Sequence, residues 1–251
     1  MFKVQGWYKI PALNVLPWAE LIFYASMKTV SLLVSLLVLF GSCKGSYQSS
    51  EAQPEKSEPI VEAEGEWINL FDGESLDGWR ASENKETFSV RDGMIVVDGP
   101  RSHLFYVGDV EGHDFKNFEF KADVMTKPGA NSGMYFHTEY QEEGWPSKGY
   151  EVQVNNSSGD WRRTSSLYAI DDVREAPAKD DEWFTQKINV RDKRIVILVN
   201  GNIQVDYTEP DDADRPNNMS GRRIDRGTFA LQGHDPESVI YYKNIMVKPL
   251  D

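Results

Sequence analysis

The chain contains a single cysteine, Cys43, among 251 residues. An internal disulfide is therefore excluded. Histidine is scarce as well: His103, His113, His137 and His234 are the only four, and no tight spacing among them marks a zinc site. Cationic residues fall short of acidic ones, 27 Lys and Arg against 40 Asp and Glu, for a formal net charge of −13. Nucleic-acid binding relies on cationic contacts, so this balance argues against it and fits a soluble extracytoplasmic protein with neutral partners. Sustained helical periodicity and internal repeats are missing too. The apolar run from Val30 to Phe40 is too short for a spanning helix, which needs ~20 residues.

What that run does fit is export. Lys28, the apolar stretch and Gly41-Ser42-Cys43 make a basic start, a short hydrophobic core and small residues before a cleavage point. A cysteine directly after such a core is expected to be acylated as the new N-terminus, so Cys43 is the predicted lipid anchor. Phe40 departs from the usual Leu or Val of that motif, and an unlipidated signal with an incidental cysteine is the opposing reading. Residues 1–26 fit no part of the signal. Met27 is the expected start, the rival being a longer N-terminus whose apolar stretch anchors the chain. Residues 44–66 are rich in Ser, Glu, Pro and Gln and read as a flexible tether. Residues 67–251 are of a size for one domain with a full core. The expected location is periplasm or outer membrane, with membrane contact through the lipid anchor only.

The folded part reads as β almost throughout. Asp92-Gly93 separates Thr87–Arg91 from Met94–Val97, and Asn200-Gly201 separates Arg194–Val199 from Ile203–Asp206. Both are hairpin signals, because Asn-Gly and Asp-Gly supply the positive φ angles of tight turns. Phe118–Val124, Gln186–Arg191, Gly227–Gln232 and Val239–Val247 alternate or run apolar. Many short strands with regular turns predict an all-β sandwich or jelly roll of two antiparallel sheets. Trp67, Phe71, Trp79, Phe88, Phe118, Phe120, Trp183 and Phe229 are assigned to the core or to sheet packing. Trp145 and Trp161 lie in polar, glycine-rich loops, where stacking on sugar rings and plugging the end of the sandwich are equally good readings.

Two further strands carry polar residues on one face. In Gly149–Asn155, Glu151, Gln153 and Asn155 alternate with Tyr150, Val152 and Val154. Successive strand side chains point to opposite faces, so the polar set can line a groove while the apolar set faces a core. In Asn131–Glu139, Tyr135 and His137 share a parity. A row of carboxylate and amide groups suits a hydroxyl-rich ligand.

Several motifs, in order, resemble the 3-keto-disaccharide hydrolase domain family. They are Asn69-Leu-Phe-Asp-Gly-Glu-Ser-Leu-Asp-Gly-Trp79, Asn131-Ser-Gly-Met-Tyr-Phe136, Gly149-Tyr-Glu-Val-Gln-Val154, Ser166-Leu-Tyr168, Asn200-Gly201, Phe229-Ala-Leu-Gln-Gly-His-Asp235 and Tyr242-Lys-Asn-Ile-Met-Val-Lys-Pro-Leu250. The resemblance spans Trp67 to the C-terminus. It implies a concanavalin A-like jelly roll, a carbohydrate ligand and cleavage of glycosides already oxidised at C3, with a separate sugar oxidoreductase needed to make the substrate.

That chemistry sets the candidate roles. A ketone at C3 acidifies the C2 proton, so one base, one donor to the enolate oxygen and one acid for the leaving group suffice. Glu151 is the candidate base, and His137 and His234 are candidates for donor or acid. Tyr135 could donate a phenolic proton. Gln153, Asn155, Gln232, Trp145, Trp161 and Arg162 are candidate substrate-binding residues. An ordinary two-carboxylate glycosidase mechanism would require a partner for Glu151, such as Glu139. His103 and His113 are assigned to surface loops. No metal is assigned; Asp171-Asp172 and Asp180-Asp181 could hold Ca²⁺ through carboxylate oxygens, although solvated loop charge is the simpler account. The alternative function is a carbohydrate-binding lipoprotein without turnover.

Overall fold

A computed structural model describes residues 64–251. The expectations for residues 1–26, for the signal at 27–43 with Cys43, and for the tether up to residue 63 lie outside the described residues.

Thirteen strands form two antiparallel sheets, a jelly-roll sandwich. The larger sheet runs β11 (Asn202–Thr208), β10 (Arg194–Val199), β9 (Phe184–Arg191), β6 (Asn117–Thr126), β13 (Val239–Leu250), β4 (Met94–Asp98) and β3 (Phe88–Arg91), with β1 (Ile68–Asn69) also on β13. The smaller runs β2 (Trp79–Ala81), β5 (Ser102–Tyr106), β12 (Thr228–Gly233), β7 (Ser132–Thr138) and β8 (Tyr150–Val154). Both expected hairpins form. Asp92 and Gly93 have φ of 52° and 76°, Asn200 and Gly201 49° and 79°, the pair of positive angles that a type I′ turn demands.

Alternation places the core between the sheets. Phe118, Phe120, Ala122 and Val124 of β6 and Ile240, Tyr242, Ile245 and Val247 of β13 face Leu104, Met134, Phe136, Val152, Phe229 and Leu231 of the smaller sheet. Phe229 stacks on Phe120 at 4.0 Å and on Phe115 at 4.6 Å. Phe71, Trp79 and Phe88 join this core, as expected. Trp67 and Trp183 meet the expectation as sheet packing, on the outer face of the larger sheet. Trp67 is half-buried beneath the ammonium groups of Lys121 (4.0 Å) and Lys248 (5.1 Å), and Trp183 is 37% exposed beneath Lys243 (4.0 Å). A lysine stem can cover an indole on a sheet's outer face, which a pattern of apolar residues does not reveal.

The departure from expectation is at His137. Its φ is +53°, and the pairing of β7 with β12 slips between Thr228 and Ala230. The resulting bulge breaks the alternation, so His137 does not share the face of Tyr135. Its ring packs against Phe118 and Phe136 instead. Gly149 and Gly227 allow the bulge: a β-carbon on either would stand 2.2 Å from a backbone oxygen, of Phe136 and Thr138 respectively.

Candidate active site on the smaller sheet

The outer face of the smaller sheet carries His103 and Phe105 from β5, Ala230 and Gln232 from β12, Tyr135 from β7, and Glu151 and Gln153 from β8. All are buried, because loops fold over the face. Between sheet and loops lies a cavity of about 320 Å³. Glu151, Gln153, Tyr135, Gln232 and Asn131 contribute from the sheet; Trp145, Asp160, Tyr168, Arg222 and His234 contribute from the surrounding segments.

Glu151 is the centre of its hydrogen-bond network. Gln232 Nε2 donates to Glu151 Oε1 (3.0 Å) and to Tyr135 Oη (3.0 Å), and Arg222 Nη2 stands 3.3 Å from Glu151 Oε2. Gly133 makes room for the carboxylate: a β-carbon there would lie 2.8 Å from Oε1. Burial foremost, then the Glu151 charge, pushes the Tyr135 phenol well above its ordinary value. Tyr135 therefore keeps its proton and acts as a donor. At the rim, His234 Nδ1 lies 2.6 Å from Asp235 Oδ2. Burial opposes ionisation of Asp235, yet hydrogen bonds from His234 and Ser238 hold its carboxyl below the ordinary value. An ionised carboxylate only accepts, so His234 donates from Nδ1, and Nε2 is the ring nitrogen that Asp235 leaves free.

Trp145, 45% exposed, forms one wall. Its ring contacts His234 at 5.3 Å and the edge of His103 at 5.5 Å. The loop that carries it is tied down through Glu83, whose Oε1 accepts from Arg101 Nε (2.9 Å) and from the Gly144 backbone (3.1 Å).

The structure brings together Glu151, Tyr135, Gln153, Gln232, His234 and Trp145, and leaves other sequence candidates apart. His137 is held elsewhere: its Nε2 donates to Lys116 O (2.8 Å) and its Nδ1 accepts from Asp225 N (3.3 Å), while burial lowers its pKa to about 4. Asn155 pins the following loop, its Nδ2 donating to Asp160 O (3.0 Å) and Arg162 O (2.7 Å), and it does not line the cavity. Strand β8 ends at Val154, so the polar row stops at Gln153. Trp161 lies outside the cavity and Arg162 stands behind its lining, 4.6 Å from the Tyr168 ring. Glu139 pairs with Lys148 at 3.8 Å, away from Glu151.

His103 corrects the reading in the other direction. Assigned to a surface loop, it is fully buried in β5 behind the cavity lining, edge-on to Tyr135 at 5.4 Å. Burial lowers its pKa to about 3, so it is neutral. The signal for it was Ser102-His-Leu-Phe-Tyr106, a short apolar run opened by the turn residues Asp98-Gly99-Pro100. Arg222 and Tyr168 were likewise missed as site residues, since nothing local distinguishes them. Of the acidic pairs, Asp172 accepts from Arg162 (3.1 Å), Asp180 from Thr126 (2.7 Å) and Asp181 from Lys127 (2.7 Å). No group of three His, Cys, Asp or Glu able to hold a metal occurs among the described residues.

Comparison with known proteins matches this geometry to a family. A model for the 3-keto-alpha-glucoside-1,2-lyase-like domain matches residues 66–248. A 3-keto-disaccharide hydrolase of Bacteroides thetaiotaomicron is 31% identical over 83 residues, which is 30% of this chain and 28% of that protein. The alignment thus spans under a third of the relative's length. Among solved structures, a protein of Parabacteroides distasonis provisionally assigned as a glycosyl hydrolase has TM-score 0.63 at 21% identity, covering 74% of this chain and 94% of the other. A Bacillus subtilis protein with a galectin-like fold has TM-score 0.50 at 10% identity, covering 69% and 90%. These two likenesses concern the fold alone. The family model covers most of the chain from Glu66 to Lys248, and the chain belongs to the 3-keto-alpha-glucoside-1,2-lyase-like domain family.

Proposed function

We propose that this domain cleaves glycosides whose sugar already carries a ketone at C3, by elimination across C1 and C2. The observation that carries the reading is the meeting, in one cavity, of a buried carboxylate, an aspartate-oriented imidazole and buried neutral donors. Glu151 takes the C2 proton, and the C–H electron pair moves into an enediolate with its charge on O3. Tyr135 and Arg222 supply donors for that oxygen. The C1–O bond then breaks, the enediolate re-forms the ketone with a C1–C2 double bond, and the leaving oxygen takes up the proton that Glu151 removed from C2, with His234 Nε2 on the same cavity wall to relay it. Addition of water across C1–C2 would complete hydrolysis. The family's description and the name of the Bacteroides relative support the substrate class.

An ordinary glycosidase needs two carboxylates flanking the scissile bond. The other carboxylate in the lining, Asp160, accepts from the Arg162 backbone (3.0 Å) and pairs with its guanidinium (3.6 Å). The elimination route requires no second carboxylate. We further propose that the protein works outside the cytoplasm, lipid-anchored through Cys43, downstream of a sugar oxidoreductase.

The test is to incubate the protein with a 3-keto disaccharide and with its unoxidised parent while following released sugar. Release from the keto form alone is expected. Release from both would replace elimination by ordinary glycosidase chemistry. Binding without release would favour the non-catalytic reading, for which the ion pair of Glu151 with Arg222 is the motivating feature, since a paired carboxylate suits hydroxyl binding as well as proton removal.

A further inference from the structure

Beside the cavity, arginines and aromatic rings alternate in one continuous stack. Arg222, paired with Glu151, lies 5.2 Å from the Tyr168 ring; Arg162 lies 4.6 Å from Tyr168 and 4.6 Å from Trp161; Arg174 lies 4.4 Å from Trp161. The stack leads from a buried carboxylate out to an indole that is 42% exposed. Its inner members are charge-balanced, Arg222 by Glu151 and Arg162 by Asp172 and Asp160. Its outer member is not. Arg174 is exposed, and among the described residues its guanidinium meets the Trp161 ring and no carboxylate. Acids outnumber bases 40 to 27 in this chain, so a surface arginine without an acidic partner is informative. Resting on the ring uses none of its five N–H donors, which remain in a fork matched to an oxyanion. The half-exposed indole, flanked by Arg162 and Arg174, holds the outer guanidinium at the surface.

We infer that Trp161 and Arg174 form an outer subsite for an acidic sugar, one bearing a carboxylate or a sulfate ester, joined to the 3-keto residue in the cavity. This rests on the glycoside reading above and narrows it to acidic glycosides. The inner stack holds the subsite in place: Arg162, fixed by Asp172, is shared between Tyr168 in the cavity wall and Trp161 outside it. Contact between Arg174 and the oxyanion is a bidentate, charge-assisted pair, which salt weakens at an exposed site.

Binding separates this idea from turnover. The full chain is titrated with a glucuronate-terminated disaccharide, its sulfated neutral counterpart and the plain neutral disaccharide, at low and high salt. One of the two acidic sugars is expected to bind about tenfold more tightly than the neutral one, a preference that salt erodes. Arg174→Ala should bring that sugar down to the affinity of the neutral one, and Arg174→Lys should recover part of the difference. The better of the two acidic sugars identifies the oxyanion. Equal binding of all three sugars, or an Arg174→Ala loss shared by the neutral sugar, overturns the subsite and leaves the glycoside reading standing. Absence of binding by every sugar overturns the subsite, and release from the 3-keto disaccharide decides the glycoside reading on its own. Thermal melts run alongside separate lost recognition from a loosened loop, and Arg174→Lys keeps the result readable if the alanine variant loosens it.

Discussion

The outward face of the larger sheet and that of the smaller sheet treat polar residues in opposite ways. On the larger sheet Glu119 is 2% exposed, yet Lys187 and Lys248 each stand 3.7 Å from its Oε2. Asp123 accepts from Thr185 (2.6 Å) and Asn244 (2.6 Å), and lysines cover Trp67 and Trp183. Charge is matched there and the sheet's own side chains cover the face, with Glu119 Oε2 and Asn189 Oδ1 the two outward atoms buried without a hydrogen-bond partner among the described residues. On the smaller sheet, loops bury the polar residues and matching is incomplete. Both nitrogens of His103, Oε1 of Gln153, Oε1 of Gln232 and Nη1 of Arg222 are buried without a hydrogen-bond partner, five of nine such atoms among the described residues. An unpartnered buried polar group costs about 1–3 kcal/mol. A fold tolerates a concentration of such costs where it serves something other than stability, and here three of the five atoms belong to residues that line the cavity while the His103 pair lies behind them.

The largest test of that contrast is Glu151→Gln. Its turnover on a 3-keto glycoside should fall by about 10²–10⁴-fold, the usual worth of a general base, with the far-ultraviolet dichroism of the folded chain retained. Full activity would remove Glu151 from the chemistry. Next comes Gly133→Ala, which puts a β-carbon 2.8 Å from Glu151 Oε1. The carboxylate must shift, and kcat should drop about 10- to 100-fold; an unaltered kcat would mean its position does not matter.

Acid provides a third test. His103 and His137, both on the smaller sheet, have folded pKa values of about 3 and about 4, below the ordinary 6.5 because burial disfavours the cation. The unfolded chain therefore binds protons that the native chain does not, and stability falls as pH falls from about 6.5 towards these values. Between pH 8 and pH 5 each group should cost about 2 kcal/mol. Denaturant melts should show this slope, reduced in His103→Phe. That variant also removes two unpartnered nitrogens, so it should be no less stable than the parent at pH 7; an unchanged acid slope would contradict the burial of His103. The smallest effect is expected on the larger sheet. Glu119→Gln removes the buried negative charge that Lys187 and Lys248 both approach and should cost about 1–3 kcal/mol, while kcat per folded molecule stays constant. A loss of kcat there would break the division of labour between the faces.

Much of this architecture is local and was therefore legible. Alternation marked ten of the thirteen strands, and Asp92-Gly93 and Asn200-Gly201 fixed two hairpins through backbone angles those residues adopt cheaply. The strands that escaped, β1, β2 and β5, are short, of two, three and five residues. Their loss hid His103. His137 was misplaced because alternation presumes an unbroken ladder, whereas its bulge depends on Gly149 and Gly227 approaching from two other segments. Asn155 was misplaced because the strand ends one residue before it, and its amide then serves the loop.

By itself, then, the sequence determined the all-β class, the turn positions, the inward set of apolar residues and the polarity of the Glu151–Gln153 row. These follow from side-chain period and turn chemistry, which act over a few residues. Only tertiary structure decided that Glu151 faces Arg222, 71 positions away, and Gln232, 81 positions away. It also decided that Trp145 covers His103, and that Trp161 stands outside the cavity in a stack with Arg174. Those juxtapositions come from which strands pair and which loops fold over the sheet. They are set by closure of the whole core, and no local pattern encodes them.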